Sequence, residues 1–201
     1  PDGNASWELL RNHLLSVICK GNMDYYDWFM TWMAQIVQQP ANKMGTCIVL
    51  KGKKGTGKST LFKYLAQALG KYAITVSDTK HVTGSFNKHQ QGCLLMVCEE
   101  AVWAGDNAAN SALKHLITDA TMMLEPKGID SFEVSNYCRI GMISNEDWVI
   151  PAGMPTEERR YFVLTVCDCK QKQYKHFQAL YDRMQNGGVG LMNQGLTPCN
   201  P

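Results

Sequence analysis

The sequence lacks the features of several large classes of protein. Its 201 residues contain no apolar run near the roughly 20 residues that span a bilayer, so we expect no membrane partner. The formal net charge is only +2, which is too small to predict a polyanion partner, so any nucleic-acid contact must come from local clusters. Repeats and low-complexity tracts are absent. The remaining composition, 45% hydrophobic and 19% charged, is that of one globular domain.

The eight cysteines include no CxxC pair. The single CxC, Cys167 and Cys169, is weak evidence for zinc, and we expect reduced cysteines in a cytoplasmic protein. The first residues, PDGNASWELL, show neither a basic start nor a long apolar segment, so we expect no signal peptide. Because an initiator Met is also missing, we expect a domain of a longer protein.

Strand patterns alternate with helix patterns along most of the chain, which predicts an α/β domain with a largely parallel sheet. The predicted strands are 46–51, 72–77, 93–100, 139–144 and 161–166, with a hairpin over 122–135. The predicted helices are 5–20, 24–38, 58–69, 108–119 and 171–186, the last ended by a Gly-Gly pair. We divide the chain into an N-terminal helical segment (1–42), a core (43–170) and a C-terminal helix and tail (171–201).

The segment GKKGTGKS, residues 52–59, matches the phosphate-binding loop pattern G-x-x-x-x-G-K-[ST] in full. It follows a predicted strand and opens a predicted helix, which is the context that the motif requires. Glycines let backbone N–H groups turn toward phosphates, the lysine reaches the β and γ phosphates, and the serine hydroxyl holds Mg²⁺. The predicted nucleotide-binding residues are Gly52, Gly55, Thr56, Gly57, Lys58, Ser59 and Thr60. The neighbouring lysines, Lys53 and Lys54, receive no assignment.

Two carboxylates, Glu99 and Glu100, close the apolar run 93–98. Adjacent residues at a strand end point to opposite sides, so one carboxylate can reach a magnesium shell while the other meets an attacking water. We assign Glu99 to the metal and Glu100 to water activation, although the two roles are interchangeable. Asn145 follows the strand 139–144, where its amide can contact the γ-phosphate or orient the water.

The order of these motifs resembles that of superfamily 3 helicases of viruses and phages, and most closely the ATPase domain of phage-type primase–helicases. The segments that carry the resemblance are WMAQIVQQP, GKKGTGKS, GSFNKHQQGCLLMVCEEA, LKHLITDATMMLEPKG, SN at 144–145, EERRYFVL and YKHFQALYDRMQNGG. The resemblance covers roughly residues 25–190. It implies a P-loop NTPase fold of the AAA-like type, a three-layer sandwich, that uses ATP and Mg²⁺ and assembles as a ring, usually a hexamer.

The resemblance also implies two further kinds of site. A basic residue of one subunit completes the ATP site of its neighbour, and here Arg160 is the first candidate and Arg159 the second. A hairpin projects into the ring channel, and Lys127, beside Gly128 in the turn, is the residue expected to contact single-stranded DNA. An exposed lysine without a partner is the competing interpretation of Lys127.

Two departures from the family pattern stand out. Many members have Asp-Glu where this chain has Glu-Glu; glutamate is one methylene longer and still binds Mg²⁺. No primase motif is present, so a primase domain, if there is one, lies upstream of Pro1.

These observations favour an ATP-driven, ring-forming DNA helicase motor that acts in viral or phage DNA replication and translocates on single-stranded DNA. Two other classes remain open. A P-loop kinase shares the loop and the magnesium but needs a substrate pocket and a lid. A non-translocating, ATP-dependent loader or scaffold shares the fold but does not need hydrolysis.

Overall fold

The computed structural model describes residues 7–99, 107–145 and 159–196. The strands are β1 (Cys47–Lys51), β2 (Ala73–Val76), β3 (Leu95–Glu99), β4 (Thr121–Leu124), β5 (Phe132–Ser135), β6 (Arg139–Ser144) and β7 (Tyr161–Thr165). The α-helices are α1 (Glu8–His13), α2 (Met23–Gln38), α3 (Lys58–Leu69), α4 (Lys80–Thr83), α5 (Asn107–Thr118), α6 (Tyr174–Arg183) and α7 (Val189–Leu196).

Five of the strands form one sheet in the order β2-β3-β6-β1-β7, and every neighbouring pair is parallel. The predicted α/β domain with a parallel sheet is therefore confirmed. The predicted hairpin is confirmed as well, because β4 and β5 pair antiparallel in a separate two-stranded sheet. β1, β3 and β6 lie inside the main sheet and are buried along nearly their whole length, which explains their unbroken apolar sequences.

The sheet has an apolar layer on each face because successive side chains of a strand point in opposite directions. Ile48 and Leu50 of β1 join the core cluster that contains residues of α2, α3, α6 and α7. Cys47 and Val49 of the same strand join the second cluster, which contains residues of α5. Helices thus cover both faces of the sheet.

The terminal helices differ from the predicted ones in detail. The predicted helix 5–20 is α1 followed by a π-helical turn, Leu14–Ile18. The Gly-Gly pair after α6 does not end the helical region: the backbone kinks at Gly187, with φ +89°, and continues as α7. The reason is tertiary, since Met192 and Leu196 of α7 are buried in the same core as α2 and α3.

A buried arginine connects α2 to the sheet. The Arg139 side chain of β6 is only 3% exposed. Its guanidinium donates hydrogen bonds to the carbonyls that follow α2 and to a neighbouring one, at 2.6–3.0 Å; the acceptors are the carbonyls of Gln39, Pro40, Asn42 and Tyr137. These bonds satisfy carbonyls that the end of α2 leaves without helical partners.

Within the described residues, no helix is long and apolar enough to cross a membrane.

We expect Gly141→Ala in β6 to destabilise the protein. A Cβ at Gly141 would overlap the ring of Phe62, which packs from α3 directly onto the strand. Overpacking of this kind costs about 1–3 kcal/mol, measurable as a lower urea midpoint. The matched control is Gly190→Ala in α7, where a Cβ meets nothing within 4 Å and alanine should be neutral or stabilising. Equal effects of the two substitutions would contradict this explanation.

A candidate anion-binding site at the carboxyl edge of the sheet

Three adjacent strands end at one edge of the sheet and bring the predicted site residues together. Lys51 of β1 lies beside Ser144 of β6, and Glu99 of β3 lies beside Ile143, so the three carboxyl ends are level. A cavity of about 600 Å³ opens there. It is lined by Lys54, Gly55, Thr56, Gly57, Lys58, Ser59, Ser77, Glu99, Ile143 and Asn145. Ligands of open parallel sheets commonly bind at this edge.

The glycine loop, residues 52–57, joins β1 to α3. Its three glycines have φ values of +141°, +77° and +92° at Gly52, Gly55 and Gly57, a region that side chains disfavour. Thr56 is fully buried and donates a hydrogen bond to the Lys53 carbonyl at 2.9 Å, which closes the loop on itself. α3 begins immediately afterwards, so the N–H groups of its first turn, which lack helical partners, border the cavity. This arrangement suits an anion.

Lys58 places a positive charge at the bottom of the cavity. The residue is 4% exposed, and its ammonium group donates hydrogen bonds to the Gly52 carbonyl, to the Lys53 carbonyl at 2.8 Å and to Asn145 Oδ1 at 3.0 Å. These three acceptors carry no formal charge, so the ammonium retains its attraction for an anion. The contact also joins the glycine loop to the end of β6.

Other predicted site residues take different positions. Ser59 and Glu99 both line the cavity and present oxygen donors to it, whereas Thr60 is buried with its hydroxyl 3.5 Å from that of Tyr181. Gly52 contributes its carbonyl to Lys58. Glu100 lies outside the described residues. Ser77, at the end of β2, lines the cavity without having been predicted, and only its place after a strand could have indicated it.

The two arginines lie at the opposite edge of the sheet. The Arg160 carbonyl accepts a hydrogen bond from the N–H of Cys47, the first residue of β1, at 2.7 Å. The glycine loop follows the last residue of that strand, about 13 Å away at roughly 3.3 Å per residue. The structure therefore does not bring Arg159 or Arg160 to the cavity of their own chain.

The β4–β5 hairpin carries the predicted DNA-contacting residues away from the main sheet. Lys127 and Gly128 are exposed in its turn, where Gly128 has φ +75°. The base of the hairpin is fixed by Asn136, which is 2% exposed and donates hydrogen bonds to the carbonyls of Leu116 and Asp119 at 2.9 and 3.0 Å.

Next to the hairpin lies a residue to which the sequence analysis assigned no role. Phe86 is 63% exposed and has a φ of +61°, which is unusual for a bulky residue. Its neighbour Asn87 donates to the Met123 carbonyl and accepts from the Glu125 N–H, both at 2.8 Å, and so attaches this segment to β4. An aromatic residue in the polar segment 78–92 was the only signal in the sequence.

The fold and the site define a class, α/β domains with a candidate anion site at the carboxyl edge of a parallel sheet. Within it, the chain belongs to DUF5906, a family of unknown function whose model matches residues 50–160. It is 25% identical over 194 residues to a DNA primase-polymerase of Nitratiruptor phage NrS-1, covering 92% of this chain and 26% of that protein.

Solved structures show the same fold. Apo structures of the C-terminal region of NrS-1, one of them an A form, superpose with a TM-score of 0.78 at 23% identity. Each match covers 92% of this chain and 44% of the other. The chain thus spans about a quarter of the phage protein that it matches and under half of that protein's solved region.

The site predicts that Lys58→Ala weakens binding of inorganic tripolyphosphate by about 10- to 100-fold, because a buried charged hydrogen-bond donor is removed. Isothermal titration calorimetry would measure it. The control is Lys53→Ala: its side chain is 69% exposed and pairs with Asp168 at 2.7 Å on the surface, so affinity should change by less than about threefold. Similar reductions in both variants would mean that the anion binds elsewhere.

Proposed function

We propose that this chain is the ATP-hydrolysing motor domain of a ring-forming DNA helicase that acts in phage DNA replication and translocates on single-stranded DNA. In this proposal the fold is a P-loop NTPase of the AAA-like type. The observation that carries it is the convergence of the glycine loop, Lys58, Glu99 and Asn145 on one cavity. Supporting it, the phage relative is named a primase-polymerase, which suggests a replication protein with a primase domain upstream of this segment. Such a protein would act in the host cytoplasm.

The residues present suit a magnesium nucleotide. Mg²⁺ prefers oxygen ligands and keeps several waters, and Ser59 and Glu99 offer a hydroxyl and a carboxylate in the same cavity. A bound Mg²⁺ neutralises charge on the β and γ phosphates. Loop amides and Lys58 hold the triphosphate, Asn145 positions the γ-phosphate or the water, and Glu100 accepts the proton of the attacking water.

The position of the arginines supports action between subunits. Arg159 and Arg160 lie at the far edge of the sheet from their own glycine loop. A second copy in a ring can bring this edge to the cavity of the first, where an arginine stabilises transition-state charge by about 10³–10⁵ in rate.

The hairpin and its neighbour suit a single strand of DNA. Lys127 supplies a cation for a phosphate, and exposed Phe86 supplies a flat apolar face for a base. Repetition around a ring multiplies both contacts, which compensates for the small net charge of one chain.

The proposal predicts that single-stranded DNA raises ATP turnover, and that Lys127→Ala reduces this stimulation. Because the substitution removes a cation that neutralises a phosphate, it should also flatten the salt dependence of DNA binding by about 0.7 in log–log slope. Lys175→Ala, an exposed lysine on α6, is the control and should behave as wild type. A P-loop kinase would show no response to DNA, and a loader or scaffold would keep its function in Glu100→Gln, which abolishes hydrolysis.

A second prediction concerns the arginines. Arg160→Ala and Lys58→Ala should each be inactive alone, but mixing them should restore part of the ATPase rate, because a Lys58→Ala subunit supplies Arg160 to an intact site. The double variant, Lys58→Ala with Arg160→Ala, is the control and should restore nothing. Restoration with Arg159→Ala in place of Arg160→Ala would assign the role to Arg159. An arginine acting within its own chain would give no gain in either mixture.

A further inference from the structure

A buried histidine lies behind the glycine loop, on the side away from the cavity. His13, the last residue of α1, is 1% exposed. Its Nε2 is 3.4 Å from the Gly57 carbonyl oxygen, and its Nδ1 is 3.1 Å from Nε2 of His176 in α6. We propose that His13 is a positioning residue for the glycine loop, held in place by His176, so that the first and sixth helices together fix the Gly57 peptide. The consequence for nucleotide binding rests on the proposed function.

The partners determine which nitrogen carries the proton. A carbonyl oxygen only accepts, so Nε2 of His13 must be the donor to Gly57. The neutral ring then has Nδ1 as an acceptor, and Nε2 of His176 donates to it. Burial lowers the pKa of His13 to about 4, so the ring is neutral near pH 7 and this one-directional chain persists.

Steric fit is a second, independent observation. A Cβ at Gly57 would lie 2.6 Å from Cε1 of His13 and 2.7 Å from Cε1 of Phe177. The two rings meet edge-to-face with centroids 6.0 Å apart and press directly on the backbone of the loop. Gly57 is therefore required both for its positive φ and for this close approach.

Gly57 is a sensitive point to hold. It precedes Lys58 and caps α3, so the orientation of its peptide sets where the first N–H groups of the helix point. The loop has another attachment at Lys53, whose side chain pairs with Asp168, but both side chains are more than half exposed. Exposed pairs contribute little, so the buried histidine contact is the one expected to order the loop.

The test is hydrogen–deuterium exchange of the 52–58 segment in the ligand-free full chain. His13→Phe keeps a ring and removes both hydrogen bonds, and it should raise exchange in this segment by about tenfold. His176→Phe, at a less buried position that tolerates change more easily, should act in the same direction. His13→Gln, which keeps a donor, should restore part of the protection.

The control is Leu180→Ala, a fully buried residue of α6 in the core that the terminal helices share. It should lower the melting temperature without selective exchange in 52–58. In turnover assays, the histidine variants should raise KM for ATP about fivefold to tenfold and leave kcat within about twofold.

Unchanged exchange in His13→Phe and His176→Phe, or an equal increase in Leu180→Ala, would overturn the inference. A wild-type chain that binds no nucleotide would refute the proposed function instead, while the exchange result would still decide whether His13 orders the loop.

Discussion

The candidate site depends on one buried ammonium group. Lys58 bonds the carbonyls of Gly52 and Lys53 and the side chain of Asn145, and it thereby joins the loop after β1 to the end of β6. A buried cation is costly unless its donors are satisfied. The parallel register of the strands supplies those acceptors at one level of the sheet. The arrangement that stabilises the lysine also directs its charge toward the cavity.

The rest of the fold supports this arrangement from both ends of the chain. α1 and α6 contact the back of the glycine loop through His13 and Phe177, and α2 and α7 share one apolar core with α3. Phe62 of α3 packs on β6 at Gly141, where the absence of a side chain leaves room for its ring. The helices before and after the central sheet are thus part of what shapes the loop.

The sequence predicted what depends on local patterns. Unbroken apolar runs indicated the inner strands, a motif indicated the loop, and the parallel order indicated that Glu99 and Asn145 would meet it. Contacts between distant segments were not predictable: His13 reaches residues 44 and 163 positions away, and α7 continues past a glycine pair because its apolar residues find a core. Phe86 is identified only by its exposure and backbone, which have no sequence pattern. The roles assigned to the site residues, including Glu100, remain predictions.

The central claim is that main-chain amides of the glycine loop hold a triphosphate. Amide ¹⁵N chemical shifts, recorded while a non-hydrolysable ATP analogue with Mg²⁺ is added, test it directly. The account predicts that the largest shifts occur at Gly55, Gly57 and Lys58, with smaller ones at Glu99 and Asn145. Shifts concentrated elsewhere, such as around the cavity between α5 and the hairpin, or no shifts at saturating analogue, would contradict it.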